Sequence, residues 1–258
     1  MLCQAALALS ALTVTPPAIP LRAVPDSGAA RAAFHAIRWY EVAVATAGTG
    51  LIIVADAPAQ RFFQDHRTAT TDDLASVFRP FGDAKVALAT GAGITLLGLA
   101  FEDHAVRTTG LRTLTGLAIG GVTAEAIKIT LGRGRPNAGD GATSFRPFQT
   151  ANDSLGVEAR NSFPSGHAMT AFALATSLSD AIKRTPATIV LYTAATGTAL
   201  SRLNDNRHWL SDVVGGALLG ITSARLASGR WRVFGLRPPT PLLTPRSAGL
   251  VWSAPLRF

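Results

Sequence analysis

Apolar residues gather along this chain in six stretches: 42–55, 86–101, 113–131, 168–179, 187–201 and 211–227. All are rich in Ala, Gly, Leu and Thr. None alternates strictly between apolar and polar positions, and each is longer than an ordinary strand, so the pattern predicts helices. Gly116 and Gly120, and likewise Gly216 and Gly220, fall four apart, a spacing that lets helix backbones approach closely. The connections differ in kind. Residues 56–85 read as a charged linker, with Asp65, Arg67, Asp72, Asp73 and Arg79. Residues 132–163 form a long, Gly-rich, polar connection, and a loop of that length is usually functional. Residues 102–112 and 180–186 are short turns between helices. The tail, 230–258, is basic and Pro-rich and reads as an extended segment packed on the bundle, with room for a short strand. No internal repeat is evident.

Hydropathy leaves two environments open. A membrane span needs about 20 apolar residues. Uncharged runs such as 42–55, 86–101 and 213–224 are shorter, and the longer run 161–179 contains Pro164 and His167. The bundle therefore reads either as an Ala-rich soluble core or as a set of short spans. Composition narrows the class. Of 258 residues, 48% are hydrophobic and 16% charged, against roughly 25% charged in soluble domains. That excludes global disorder and suits one domain. Twenty-four Lys and Arg against 16 Asp and Glu leave a net charge of +8. Such a balance favours phosphates, acidic lipid or nucleic acid as partners. No basic run is interleaved with aromatics, so nucleic acid is set aside. The lone Cys3 excludes an internal disulfide and a Cys-based zinc site.

Residues 1–21 are uncharged, and their apolar run 2–14 resembles the core of a signal peptide, although the first charge is Arg22. Pro16, Pro17 and Pro20 end any helix there. The organisation expected is a targeting segment at 1–23, a linker at 24–39, a helical domain at 40–228 and a C-terminal extension at 229–258.

Three short patterns carry candidate chemistry. Lys128 is followed after six residues by Arg135 and Pro136. Pro164, Ser165, Gly166 and His167 are consecutive. Ser201 and Arg202 are followed after five residues by His208, and after three more by Asp212. Lys128 and Arg135 leave the third predicted helix, while Ser165, Gly166 and His167 begin the fourth. Arg202 closes the fifth and His208 opens the sixth. In an up-and-down bundle these positions meet at one end. Arg presents a planar fork to phosphate oxygens and Lys a point charge. A helix start offers unpaired N–H groups to an anion, and Gly166 lets the backbone come close. His208 and Asp212 share a helix face, so the carboxylate can hold the imidazole by one nitrogen and leave the other to attack. His167, from another helix, can give a proton. Glu125, three before Lys128, is a candidate to neutralise it. Arg133 and Arg207 neighbour the patterns and read as solvated charges. His35, His66 and His104 lie in polar stretches and read as surface residues.

These three patterns, in this order, resemble the type 2 phosphatidic acid phosphatase (PAP2) and vanadium haloperoxidase superfamily. The resemblance runs through about 110–220 by the motifs and extends to 40–228 by the helix pattern. It implies an all-α, six-helix bundle with the active site at one end. It also implies hydrolysis of a phosphomonoester or diphosphate through a phosphohistidine, with no metal or other cofactor. On that likeness His208 is the nucleophile, Asp212 orients it and His167 protonates the leaving oxygen. Lys128, Arg135 and Arg202 bind the phosphoryl oxygens, helped by Ser165 and the N–H of Gly166. The apolar bundle favours a lipid phosphate and a membrane association. Three alternatives stand beside it: a soluble acid phosphatase of the same fold, a vanadate-dependent haloperoxidase, and a non-catalytic binding protein. The chain is short for a haloperoxidase, and no motif residue is missing, as a non-catalytic relative would lead one to expect. With the three phosphate-binding cations set aside, fewer Lys and Arg lie at the motif end than at the other. That asymmetry puts the motif end outside the cytoplasm, in the cell envelope.

Overall fold

The computed structural model describes residues 35–139, 141–149, 160–233, 240–244 and 247–251. The expected targeting segment and most of the linker after it lie outside the described residues. After a short strand β1 (His35–Ile37) come α1 (Trp39–Asp65), α2 (Ala69–Phe78), α3 (Ala84–Ala100) and α4 (His104–Leu131). Then follow α5 (Gly166–Ile182), α6 (Thr185–Asn204) and α7 (Leu210–Ala227). Three strands close the chain: β2 (Trp231–Val233), β3 (Thr240–Thr244) and β4 (Ser247–Val251). β2 pairs in parallel with β1, and β3 with β4 as an antiparallel hairpin, so the extended tail does contain strands.

The six expected helices are present, and the described residues add a seventh. The supposed charged linker is helical at both ends. α1 continues to Asp65 with Pro58 inside it, and α2 occupies 69–78. Thr68 caps α2, its hydroxyl accepting from the Thr71 N–H at 3.2 Å. The charges that disguised this helix are themselves partnered: Asp72 accepts from Arg67 at 2.8 Å and from Asn204 Nδ2 of α6 at 2.6 Å. The packed face is made by Ala75 and Phe78. A methyl group added at Gly197 of α6 would lie 2.5 Å from the Phe78 ring, so glycine there is a packing requirement.

Helix starts are capped as their residues allow. Asp83 accepts from Lys85 N–H at 2.7 Å at the head of α3, and Asp103 from Ala105 N–H at 2.8 Å at the head of α4. α5 is the central helix, packed on α4, α6 and α7. Its buried residues are mostly small, among them Ala168, Ala171, Ala173 and Ala175. The paired glycines serve this closeness. A Cβ at Gly120 would meet Met169 Sδ at 2.6 Å, and one at Gly216 or Gly220 would overlap carbonyl oxygens of α5.

The bundle is small inside and large outside. Val44, Leu51 and Val54 of α1, Leu96 of α3, Val122 of α4, and Ile189 and Val190 of α6 are exposed. Water would penalise such an outer face, whereas lipid tails solvate it and leave small residues to make the helix contacts. α1, α4 and α7 are each long and apolar enough to cross a membrane. α2 with α3, bent by 47°, makes a fourth if the pair counts as one span.

Candidate active site

α4 ends, α5 starts, α6 ends and α7 starts at one end of the bundle, as the alternation of helices requires. Backbone hydrogen bonds tie these ends together. Ser165 N–H donates to the Asp212 carbonyl at 2.9 Å, and Ser162 N–H to the Arg133 carbonyl at 3.0 Å. His208 sits in the turn before α7 and is buried. Its Nδ1 lies 2.8 Å from the carbonyl oxygen of Ser162. A carbonyl only accepts, so Nδ1 carries the ring proton and Nε2 keeps its lone pair. Burial pushes the His208 imidazole below its usual range, opposed by the Asp212 carboxylate and reinforced by the charges of Arg135 and Arg202. The ring is therefore neutral at neutral pH.

Asp212 does not take the Nδ1 proton directly, as the spacing suggested; its Oδ2 is 3.6 Å from Nδ1. That oxygen accepts instead from Ser162 Oγ at 2.5 Å and from Trp209 N–H at 2.8 Å. Asp212 thus holds both the residue whose carbonyl orients His208 and the turn that carries it.

Arg133 is a correction to its reading as a solvated charge, because it is fully buried. One nitrogen, Nη1, donates to Asp212 Oδ1 and Ser211 Oγ, each at 2.6 Å. The other, Nη2, donates to Asp56 Oδ2 at 2.6 Å and to the Ala142 carbonyl at 2.5 Å. Its plane also lies over the rings of Phe145 and Trp209. Asp56, fully buried on α1, accepts from Ser211 N–H at 2.8 Å and Ser211 Oγ at 2.6 Å. Arg133, Asp56, Ser211 and Ser162 are the residues that the motif spacing missed. A signal existed for Asp56: a lone carboxylate directly after an apolar run is costly in a core and calls for a partner.

The cations collect around His208. Lys128 Nζ, in the last turn of α4, is 2.6 Å from Glu125 Oε1. A Cβ at Gly166 would lie 3.6 Å from Lys128 Nζ, so the ammonium faces the start of α5. Arg202 closes α6 with Nη1 3.1 Å from Asp205 Oδ2. Arg79, at the end of α2, holds the other oxygen of Asp205 at 2.9 Å, which gives the unexpected helix a part in the site. The Arg202 Nε is buried without a hydrogen-bond acceptor, while Nη1 is held by the Asp205 carboxylate. Ser165 is fully buried and caps α5, its oxygen accepting from Ala168 N–H at 3.4 Å. Burial, then the charges of Arg202, His208 and Arg135, push the His167 imidazole down to about 4, with Asp83 opposing. His167 is thus neutral at neutral pH unless an anion offsets those charges. His35, His66 and His104 are exposed, as expected, and Arg207 is exposed too. Among the described residues no group of three or more His, Cys, Asp or Glu side chains is placed to hold a metal ion.

Residues 109–233 match the family model of the PAP2 superfamily. This region belongs to the PAP2 superfamily. The PAP2 match contains all three motifs and ends in β2. A lipid A 1-phosphatase from Porphyromonas gingivalis (strain ATCC 33277) is 39% identical over 118 residues, which is 45% of this chain and 22% of that protein. The chain thus spans about a fifth of the length of that curated relative. Two solved structures share the PAP2 bundle. Aquifex aeolicus LpxE superposes with a TM-score of 0.51 at 20% identity, over 67% of this chain and 94% of LpxE. The first transmembrane PAP2 type phosphatidylglycerolphosphate phosphatase from Bacillus subtilis superposes at 0.55 and 22%, over 74% and 91%. At those identities the likeness establishes the fold.

Proposed function

We propose that this chain is a PAP2-type phosphatase that removes phosphate from a phosphorylated lipid, without a metal, through a phosphohistidine. The observation that carries this reading is the pairing of a neutral His208, whose Nε2 keeps its lone pair, with the buried Arg202 guanidinium, whose Nε has no acceptor. Nothing in a neutral core calls for such a donor; a phosphoryl group offers the oxygen it lacks. Lys128, Arg135 and the N–H of Gly166 supply further positive potential from two other chain segments.

In the first step His208 Nε2 attacks phosphorus, the P–O ester bond breaks, and His167 gives its proton to the leaving oxygen. His167 is neutral in the free protein, so it takes up its proton from solvent as the substrate binds. A bound dianion offsets the surrounding cations and raises the affinity of His167 for a proton. In the second step water attacks phosphorus, the P–N bond to His208 breaks, and the water gives a proton to His167. Inorganic phosphate leaves and His208 returns to its starting state. Positive charge gathers on the His208 ring as the P–N bond forms. The buried Arg133, Asp56 and Asp212 set one guanidinium against two carboxylates, and its net negative charge favours that ring charge.

The lipid reading follows from the apolar outer faces and from what the relatives are named for. α1, α4 and α7 cross the membrane in this reading, and the site opens on the envelope side, outside the cytoplasm. Three measurements together test the proposal. Salt-washed membranes should retain the protein. They should release phosphate from a lipid phosphomonoester in chelator, and vanadate should inhibit that release. Loss of turnover in chelator with rescue by magnesium would overturn the metal-free mechanism. Turnover confined to soluble esters would overturn the lipid assignment.

A further inference from the structure

We propose that Asp205 and Arg79 are positioning residues for Arg202: Asp205 grips one end of the guanidinium, and Arg79 grips Asp205. The inference rests on the phosphatase reading of the site, in which Arg202 binds the phosphoryl group. Asp205 Oδ2 lies 3.1 Å from Arg202 Nη1, and its Oδ1 accepts from Arg79 Nη2 at 2.9 Å. In a guanidinium Nη1 stands beside Cδ, so a carboxylate on Nη1 leaves open the edge made by Nε and Nη2. Nε, on that edge, is buried without an acceptor. A fork held at one end keeps its other edge aimed, which a long side chain at a helix end does not do unaided.

The competing explanation is that Asp205 only ends α6, whose C-cap it is. A negative charge there opposes the helix dipole, which favours Lys or Arg at a C-terminus. It also lowers the positive potential of a site assembled for an anion. The carboxylate is thus unfavourable for the helix and for holding phosphate in the ground state. Fixing the direction of Arg202 is the gain that offsets both.

The surrounding turn supports this division of labour. Five residues separate Arg202 from His208. Gln64 of α1 donates to the carbonyls of Leu203 and Asn204 at 3.0 and 3.3 Å, and Asn204 donates to Asp72 of α2 at 2.6 Å. Arg207 N–H returns to the Arg202 carbonyl at 3.1 Å. The backbone between phosphate ligand and nucleophile is therefore already held, and the Arg202 side chain is what remains to be aimed. Asp205 does this from the same turn. Arg79, exposed at the end of α2, keeps that carboxylate from rotating when a phosphate competes for Arg202.

The test separates aim from charge. The purified full chain in detergent is titrated by calorimetry with inorganic phosphate and with orthovanadate, and turnover of a short-chain lipid phosphomonoester is measured on the same samples. Vanadate adopts the five-coordinate geometry of the transferring group and depends on aim, whereas phosphate reports mainly charge. Asp205→Ala should lower kcat and vanadate affinity about thirty-fold each, the effect of a misplacement under about 1 Å. Phosphate should bind it no more weakly than wild type. Asp205→Asn keeps an acceptor oxygen and should recover most of the kcat. Arg79→Gln should lower kcat and vanadate affinity about five-fold, and should add nothing in the Asp205→Ala background, because it acts through that carboxylate. Arg67→Gln removes a comparable ion pair beside the same helix and should change neither; thermal midpoints check that every variant is folded. Equal losses of phosphate and vanadate affinity in Asp205→Ala overturn the proposal, as does wild-type kcat in that variant or an undiminished effect of Arg79→Gln in its background. If the wild type binds vanadate with this dependence and releases no phosphate, the phosphatase reading fails and the positioning of Arg202 stands.

Discussion

Replacing Asp56 by Asn removes one buried charge and keeps the side-chain volume, so it isolates what the Arg133 network contributes. Asp56 accepts three hydrogen bonds, from Arg133 Nη2, Ser211 N–H and Ser211 Oγ. The amide retains one acceptor oxygen and turns an NH₂ group on the remaining donors. Breaking one partner of a buried pair costs about 3–5 kcal/mol. At about 2–4 °C per kcal/mol for a chain of this size, the thermal midpoint should fall by roughly 10 °C. The electrostatic effect is separate. The network loses its net negative charge, which otherwise favours positive charge on His208. Taking about 8 Å for two hydrogen-bonded links and an effective dielectric near 20, that support is worth roughly 2 kcal/mol, or about thirty-fold in rate. The phosphate-binding cations are untouched, so kcat should fall while KM stays near wild type. The assay is steady-state phosphate release well below the lowered midpoint, beside a thermal scan in the same detergent. A midpoint within about 2 °C of wild type would refute the buried-pair argument. A fall in KM-dependent binding with kcat unchanged would refute the electrostatic one.

Four further predictions concern the groups around His208. Arg202→Lys should lose most activity, because a single ammonium cannot reproduce the planar guanidinium fork; near-normal turnover would make Arg202 structural. His208→Ala should abolish turnover of every substrate and leave no phosphoenzyme in rapid quench. His167→Ala should slow alkyl phosphates far more than nitrophenyl phosphate at the first step, and equal losses on both would remove its role as acid. The pH profile of kcat/KM should have an acid limb below 6.5, since burial lowers the His208 pKa and the reactive neutral ring is lost only as pH falls through that value. Asp56→Asn should push that limb lower still, and a shift upward would contradict the charge assigned to the network.

From the sequence alone the helical class was legible, and so was the meeting of the Lys128, Arg135, His167, Arg202 and His208 segments at one end of the bundle. Those follow from local rules: apolar runs too long for strands, and an alternation of helix directions that brings alternate helix ends together. The helix α2 was hidden because its charges outweigh its few packing residues in any local window. What selects it is distant: Gly197 on α6 receiving Phe78, and Arg79 reaching Asp205. The same holds for Arg133 and Asp56, which are 77 residues apart. No spacing rule links a carboxylate at the end of one apolar run to an arginine inside a motif gap. Only the fold, by excluding water from both, forces each charge to find the other. The fold likewise selects the Ser162 carbonyl, and not Asp212, as the acceptor of the His208 Nδ1–H hydrogen bond. That choice depends on ring orientation to within an ångström, which helical periodicity specifies only to the level of a face.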